Sequence, residues 1–185
     1  DVGIETIFIE EVSEIAEYKN ADAFFLLKEF KGDLTELPDK PVIINSVLYT
    51  LKELDLPENF IRINGWSTFL QRDIWEVATT NKIIIKEVFK KLEWKYIIVA
   101  DEPGLVSARI ISMIINEAYF ALGEDVSSKD EIDIAMRLGT NYPYGPFEWG
   151  KKIDLQKVYD LLRKLNETES RYSIESAMKN EIINF

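Results

Sequence analysis

The chain has 185 residues, 46% hydrophobic and 30% charged, which is ordinary globular usage and enough for one substantial domain or two small ones. It contains neither cysteine nor histidine, which excludes disulfides, thiolate or imidazole metal sites, thiol nucleophiles and an imidazole general base. A net charge of -11 repels phosphate backbones and anionic lipid surfaces, so neither nucleic acid nor a membrane is expected as a partner.

In chain order, the first hundred residues read as short apolar runs separated by polar or proline-bearing turns. Residues 7–9, 23–27, 42–44, 60–63 and 96–99 are the expected strands, and 11–18, 47–54 and 81–92 the expected helices between them. Most of the strands are continuously apolar, which suits strands covered on both faces. Strands alternating with helices point to an α/β layer with a largely parallel sheet.

The character changes after Pro103-Gly104. Residues 105–122 are apolar nearly all round, the profile of a helix buried in its domain or against a partner. Ser128 followed by Glu131 reads as a capping box opening the next helix, with Gly139 as its end. Asp154 caps another helix, whose stripe is Leu155, Val158, Leu161, Leu162 and Leu165, and Ser173 caps a last one. The expected organisation is therefore an α/β domain over 1–102 and a helical domain over 103–185.

No apolar run approaches the roughly 20 residues of a membrane span, and no signal-like segment opens the chain. The first residue is Asp1, from which a trimmed or partial chain is expected, with the cytoplasm as default compartment. Any metal would have to be a hard cation on carboxylates. No calcium-loop pattern of spaced Asp or Asn with a Gly occurs, so no metal is expected.

Asp101-Glu102-Pro103-Gly104 joins a strand to a long helix, and Gly139, Asn141, Pro143, Gly145 and Pro146 follow as a G-x-N-x-P-x-G-P turn. Together they resemble the hinge and first helices of the 3-hydroxyacyl-CoA dehydrogenase family's C-terminal domain. Upstream, Ala21-Asp22-Ala23 resembles a strand start in that family's dinucleotide domain, and residues 42–46 resemble its Ser-Asn-Thr-Ser strand. Residues 64–77 resemble its His-Phe-Phe-Asn-Pro segment closing on Val-Glu-Val. The resemblance implies a reduced Rossmann-like sheet. A helical dimerisation domain of the 6-phosphogluconate dehydrogenase C-terminal type follows it, with a homodimer formed through that domain.

By the same resemblance, the family's catalytic glutamate falls on Glu76 and its catalytic histidine on Asn64. The family's serine falls on Val47, next to Ser46, and its asparagine on Ala108, next to Ser107. Ser46, Ser107, Arg109 and Asn141 are the expected substrate-binding residues, acyl-CoA the expected ligand and NAD the implied cofactor. The Gly-x-Gly-x-x-Gly turn that cradles a pyrophosphate does not occur in these residues, so no residue is assigned to the cofactor.

Asparagine has no proton to exchange near neutrality, so the expected protein is a catalytically impaired or inactive acyl-CoA-binding or assembly homologue. Two alternatives stand beside it: a weakly active NAD-dependent dehydrogenase using Glu76 or another acid–base group, and a structural dimer without ligand. A carboxylate at Glu76 is also read as a plain ion-pair partner of Arg62, Arg72 or Arg109. Those arginines with Lys82 and Lys86 form either a local basic patch for coenzyme A phosphates or scattered solvated charges. Tyr142, Tyr144, Phe147 and Trp149 are read first as aromatics packing a loop onto a core and second as a stacking surface for a ligand.

Overall fold

Residues 3–9, 11–31 and 39–183 are described by the computed structural model of the chain. They fall into two units, Asp1–Leu105 and Val106–Phe185.

The first unit is built on a sheet of β1 (Phe24–Glu29), β2 (Val42–Asn45), β3 (Phe60–Ile63), β4 (Ile74–Ala78) and β5 (Lys95–Ile98), in that spatial order. The β1–β2, β2–β3 and β4–β5 pairs are parallel, and β3–β4 is antiparallel. Every residue of β2 and β3 is buried, as expected of continuously apolar strands. Alternation divides them: Val42 and Ile44 join Ile15, Phe24, Leu51 and Phe60 in one cluster. Ile43, Ile61 and Ile63 join Val77, Ile85, Val88 and Phe89 in another.

Helix α1 (Lys82–Lys91) supplies the cover for that second cluster. Its cap is Asn81, whose Oδ1 accepts from the amides of Ile83 and Ile84 at 3.1 and 3.4 Å. Phe89 then meets Trp75, Trp94 and Tyr96 edge-on, and Trp75 and Trp94 stack with their centroids 4.7 Å apart.

Four expectations for this unit are corrected. Residues 7–9 form no strand; Phe8 is 93% exposed and no described strand pairs with the run. Residues 11–18 give only a 3-10 turn at Val12–Glu17. Residues 47–54 form turns instead of a helix. Thr50 and Glu53 cap each other reciprocally around one turn, and Asp55, in the left-handed region at φ 49, stops its growth. β4 was not among the expected strands, because its Ile-Trp-Glu-Val-Ala run is short and its first half carries exposed and half-buried residues. β5, although apolar, leaves Ile97 and Ile98 half-exposed at the sheet edge.

The second unit holds α2 (Ser107–Gly123), α3 (Lys129–Thr140), α4 (Pro146–Ile153), α5 (Leu155–Asn166) and α6 (Ser176–Ile183). Ile111, Ile115 and Tyr119 of α2 are buried, as are Trp149 and Ile153 of α4 and Val158, Leu161, Leu162 and Leu165 of α5. Asp154 caps α5 by accepting from the Gln156 amide at 3.0 Å, as expected. The Ser128–Glu131 capping box is present on α3.

Gly139 does not end α3. The helix runs to Thr140, and Asn141 takes the left-handed position at φ 57. Ser173 does not cap the last helix; the Glu175 carboxylate accepts from the Ala177 amide at its first turn. The turn after α3 has a mechanical explanation. Asp133 caps the Phe147 and Glu148 amides at 2.8 and 2.9 Å, and its backbone comes so close that a Cβ on Gly145 would lie 2.5 Å from the Asp133 Cα. Pro146 then occupies the first helical position.

Candidate functional site

In the antiparallel pair β3–β4, Arg62 lies opposite Ala78 and Ile63 opposite Val77. The pairs stop there: Asn64 is the first residue past β3, and Glu76 precedes Val77 on β4. Residues 64–73 form the long connection between the two strands.

The end of β3 is held by a small polar lattice. Asn45, buried at the end of β2, donates from Nδ2 to the Leu27 carbonyl at 3.0 Å and accepts from the Gly65 amide at 2.9 Å. A Cβ on residue 65 would fall 2.5 Å from Asn45 Cγ, so glycine is what allows this approach. Asn64 Oδ1 accepts from the Trp66 amide at 3.2 Å, a local turn that fixes the start of the connection. Trp66 itself is 2% exposed.

Glu76 has a side chain that is 10% exposed, with the Arg72 guanidinium 4.0 Å away. Arg72 is one of the three arginines considered for it. Arg72 also lies over the Phe69 ring, 4.1 Å from its centroid, and burial pulls its pKa below the usual arginine value while Glu76 opposes the shift. Trp75, the next residue along β4, belongs to the aromatic cluster on α1 and lies on the opposite face from Glu76.

Arg62 fits neither the basic patch nor the scattered solvated charges considered for it. Its side chain is fully buried. It donates to Asp101 Oδ1 at 2.7 Å, to the Val47 and Glu102 carbonyls at 2.9 and 2.8 Å, and to the Ser46 carbonyl. Burial lowers its pKa, and the hydrogen bond and charge of Asp101 oppose that shift. Asp101 Oδ2 in turn accepts from the Leu51 amide at 2.9 Å, and the Gly104 amide donates to the Val47 carbonyl at 2.8 Å. The Asp-x-Pro-Gly hinge is therefore tied to β3 and to the exit of β2 by a buried guanidinium. Sequence reasoning missed this role; the one available signal was an arginine inside an otherwise apolar strand, which calls for a buried acid.

The other candidates divide accordingly. Ser46 is buried and donates from Oγ to the Tyr49 carbonyl at 3.0 Å, a structural bond within its own turn. Val47 and Ala108 are buried and apolar. Ser107 and Arg109 open α2 in the other unit, and Arg109 lies 5.9 Å from the Tyr172 ring. Asn141 is the left-handed cap of α3. Tyr142 and Tyr144 pack edge-on against the buried Trp149, and Phe147 against Tyr119, which supports the loop-packing reading. Lys82 and Lys86 are exposed on α1.

A dinucleotide needs open amides at a glycine-rich strand-to-helix turn. Among the described residues of the first unit, α1 is the one α-helix. It follows β4 through Thr79-Thr80-Asn81, and the Asn81 side chain already occupies its first amides. These residues do not fit a pyrophosphate. Among the described residues, no group of three or more carboxylates gathers to hold a metal ion. No helix there is long and apolar enough to cross a membrane.

Comparison with known proteins agrees with this architecture. Residues 104–184 match the family model for the 3-hydroxyacyl-CoA dehydrogenase C-terminal domain. The chain is 38% identical over 150 residues to a 3-hydroxybutyryl-CoA dehydrogenase of Clostridioides difficile, covering 78% of this chain and 53% of that one. It is 49% identical over 76 residues to the 3-hydroxyadipyl-CoA dehydrogenase of Escherichia coli, 40% of this chain and 16% of that one. It thus spans about half or less of the length of these curated relatives. The crystal structure of a 3-hydroxybutyryl-CoA dehydrogenase of Ralstonia eutropha superposes with a TM-score of 0.73 at 21% identity, over 91% of this chain and 67% of that one, and shares its fold. The Rossmann-like sheet and helical domain are therefore those of a known fold, and residues 104–184 are similar to the C-terminal domain of the 3-hydroxyacyl-CoA dehydrogenases.

Proposed function

We propose that this chain binds an acyl-CoA without oxidising or reducing it, as a catalytically silent member of its family acting in the cytoplasm. The feature that carries the reading is the asparagine at position 64, where the resemblance places the family's histidine, with Glu76 at its glutamate position. In the family the resemblance implies a histidine there, which exchanges the hydroxyl proton as hydride moves. Asparagine can donate to a carbonyl oxygen but has no proton to transfer near pH 7, a loss of about 10²- to 10⁴-fold in rate. Val47 and Ala108, at the serine and asparagine positions, add no polar group.

A second reading, a weakly active NAD-dependent dehydrogenase, is favoured by Glu76 alone, a largely buried carboxylate beside Arg72. A homodimer through the helical unit belongs to the proposal as well. α3 buries none of its residues and leaves Leu138 77% and Ile134 47% exposed, an apolar stripe suited to a second copy. If that dimer forms and no CoA ester binds, the chain is a structural dimer.

The test is NADH oxidation with acetoacetyl-CoA at high protein concentration, beside titration of acetoacetyl-CoA by calorimetry. The expected result is binding without turnover. Turnover that Glu76→Gln abolishes would refute the proposal and establish the second reading.

A further inference from the structure

A groove of about 600 Å³ opens where the residues leading into β4 meet those leading into β5. The parallel pairing of Ile74 with Lys95 starts the two strands side by side and so brings these lead-in segments together. Six side chains give the groove its chemistry: the cations Arg72 and Lys95, the carboxylates Asp73 and Glu93, and the indoles of Trp75 and Trp94.

The indoles form a platform. Trp75 and Trp94 stack with their centroids 4.7 Å apart and their planes 15° from parallel, and Trp94 keeps 39% of its surface exposed. A large aromatic held in place by a second one, yet open to solvent, is a surface on which a planar ligand stacks. Arg72 is also held in place. Its guanidinium lies 4.1 Å from the Phe69 ring centroid, its side chain is 40% exposed, and burial pulls its pKa down. A partly desolvated guanidinium in a fixed position suits a phosphate oxygen better than a fully hydrated one does, and Lys95 brings a second positive charge to the same groove.

Asp73 and Glu93 balance these two charges, so a bare anion matches only half of the lining. A nucleotide matches all of it. Its base offers a π-face to the indoles, its phosphates accept from Arg72 and Lys95, and its ribose hydroxyls and exocyclic amino group donate to the carboxylates. The volume also falls within the about 300–1,000 Å³ usual for small-molecule sites.

We propose that this groove binds a nucleoside diphosphate with an amino-bearing base, the base against Trp94 and the phosphates on Arg72 and Lys95. Trp75 and Glu76 point to opposite faces of β4, and the inference stands apart from the acyl-CoA reading.

The test titrates the parent chain with ADP, coenzyme A and inorganic phosphate, following both heat and the indole proton–nitrogen signals. The Trp94 signal is assigned by its loss in Trp94→Phe. The expected result is that a nucleotide binds and shifts this signal, and that Arg72→Gln and Lys95→Gln each weaken it by about tenfold or more, the loss of a charge-assisted hydrogen bond. Binding of ADP upholds a free nucleotide as the ligand, whereas binding of coenzyme A with ADP inert upholds the nucleotide end of a CoA ester. Inertness of both overturns the proposal, as does an unmoved Trp94 signal or equal affinity in the parent and both glutamine variants. Phosphate binding as tightly as the nucleotide reduces the groove to an anion site and overturns it too.

Discussion

Replacing Arg62 by methionine is the most direct probe of the buried lattice. Methionine keeps most of the aliphatic stem but removes the guanidinium, stranding the carbonyls of Ser46, Val47 and Glu102 and the facing oxygen of Asp101. A buried carbonyl left without a donor costs about 1–3 kcal/mol, and breaking a buried ion pair from one side costs about 3–5 kcal/mol. These figures overlap in the same groups and do not add. Asp101 is 26% exposed and keeps the Leu51 amide, so its share is the smaller one. The expected loss is about 3–5 kcal/mol.

Urea unfolding followed by tryptophan fluorescence measures this loss, since three of the four tryptophans (Trp66, Trp75 and Trp94) lie in the first unit. Arg62→Lys retains the charge but reaches fewer of the four acceptors at once, so its loss is intermediate, about 2 kcal/mol. A midpoint for Arg62→Met within about 1 kcal/mol of the parent, at unchanged slope, would refute the clamp.

Two glycines give opposite outcomes. Gly139→Ala, inside α3 with open space around it, stabilises by about 0.5–1 kcal/mol, whereas Gly145→Ala must displace the Asp133 backbone and lowers the melting temperature. Gly65→Ala disturbs the Asn45 contact and costs about 1–3 kcal/mol, read in the same urea assay. Hydrogen bonds from the Ser128 and Ser127 hydroxyls and the Ser128 amide lower the Glu131 pKa from 4.5 to about 2. A depressed folded pKa means the contribution is complete above pH 4.5 and fades as pH falls toward about 2, so parent and Glu131→Gln should differ at pH 6 and converge at pH 2. A constant difference across that range would contradict the assignment.

The local chemistry of the helical unit was legible in the chain itself. The Ser128–Glu131 box and the Asp154 cap act within one turn, so residue type and spacing specify them wherever the helix lies. The same holds for β2 and β3, whose unbroken apolar runs have no stable place except between two covered faces. The absence of histidine likewise decided, before any coordinates, that Asn64 has no imidazole to work with.

Tertiary structure decided the rest, because those features depend on partners distant in the chain. Residues 47–54 have the composition of a helix, yet the Leu51 amide serves Asp101, fifty residues away. Arg62 read as a possible surface cation until the carbonyls of Ser46, Val47 and Glu102 converged on it. β3, which ends just before Asn64, and β4, which carries Glu76, are joined only by the antiparallel pairing of the folded sheet. Periodicity records which face of an element is buried; only packing determines which polar groups meet there.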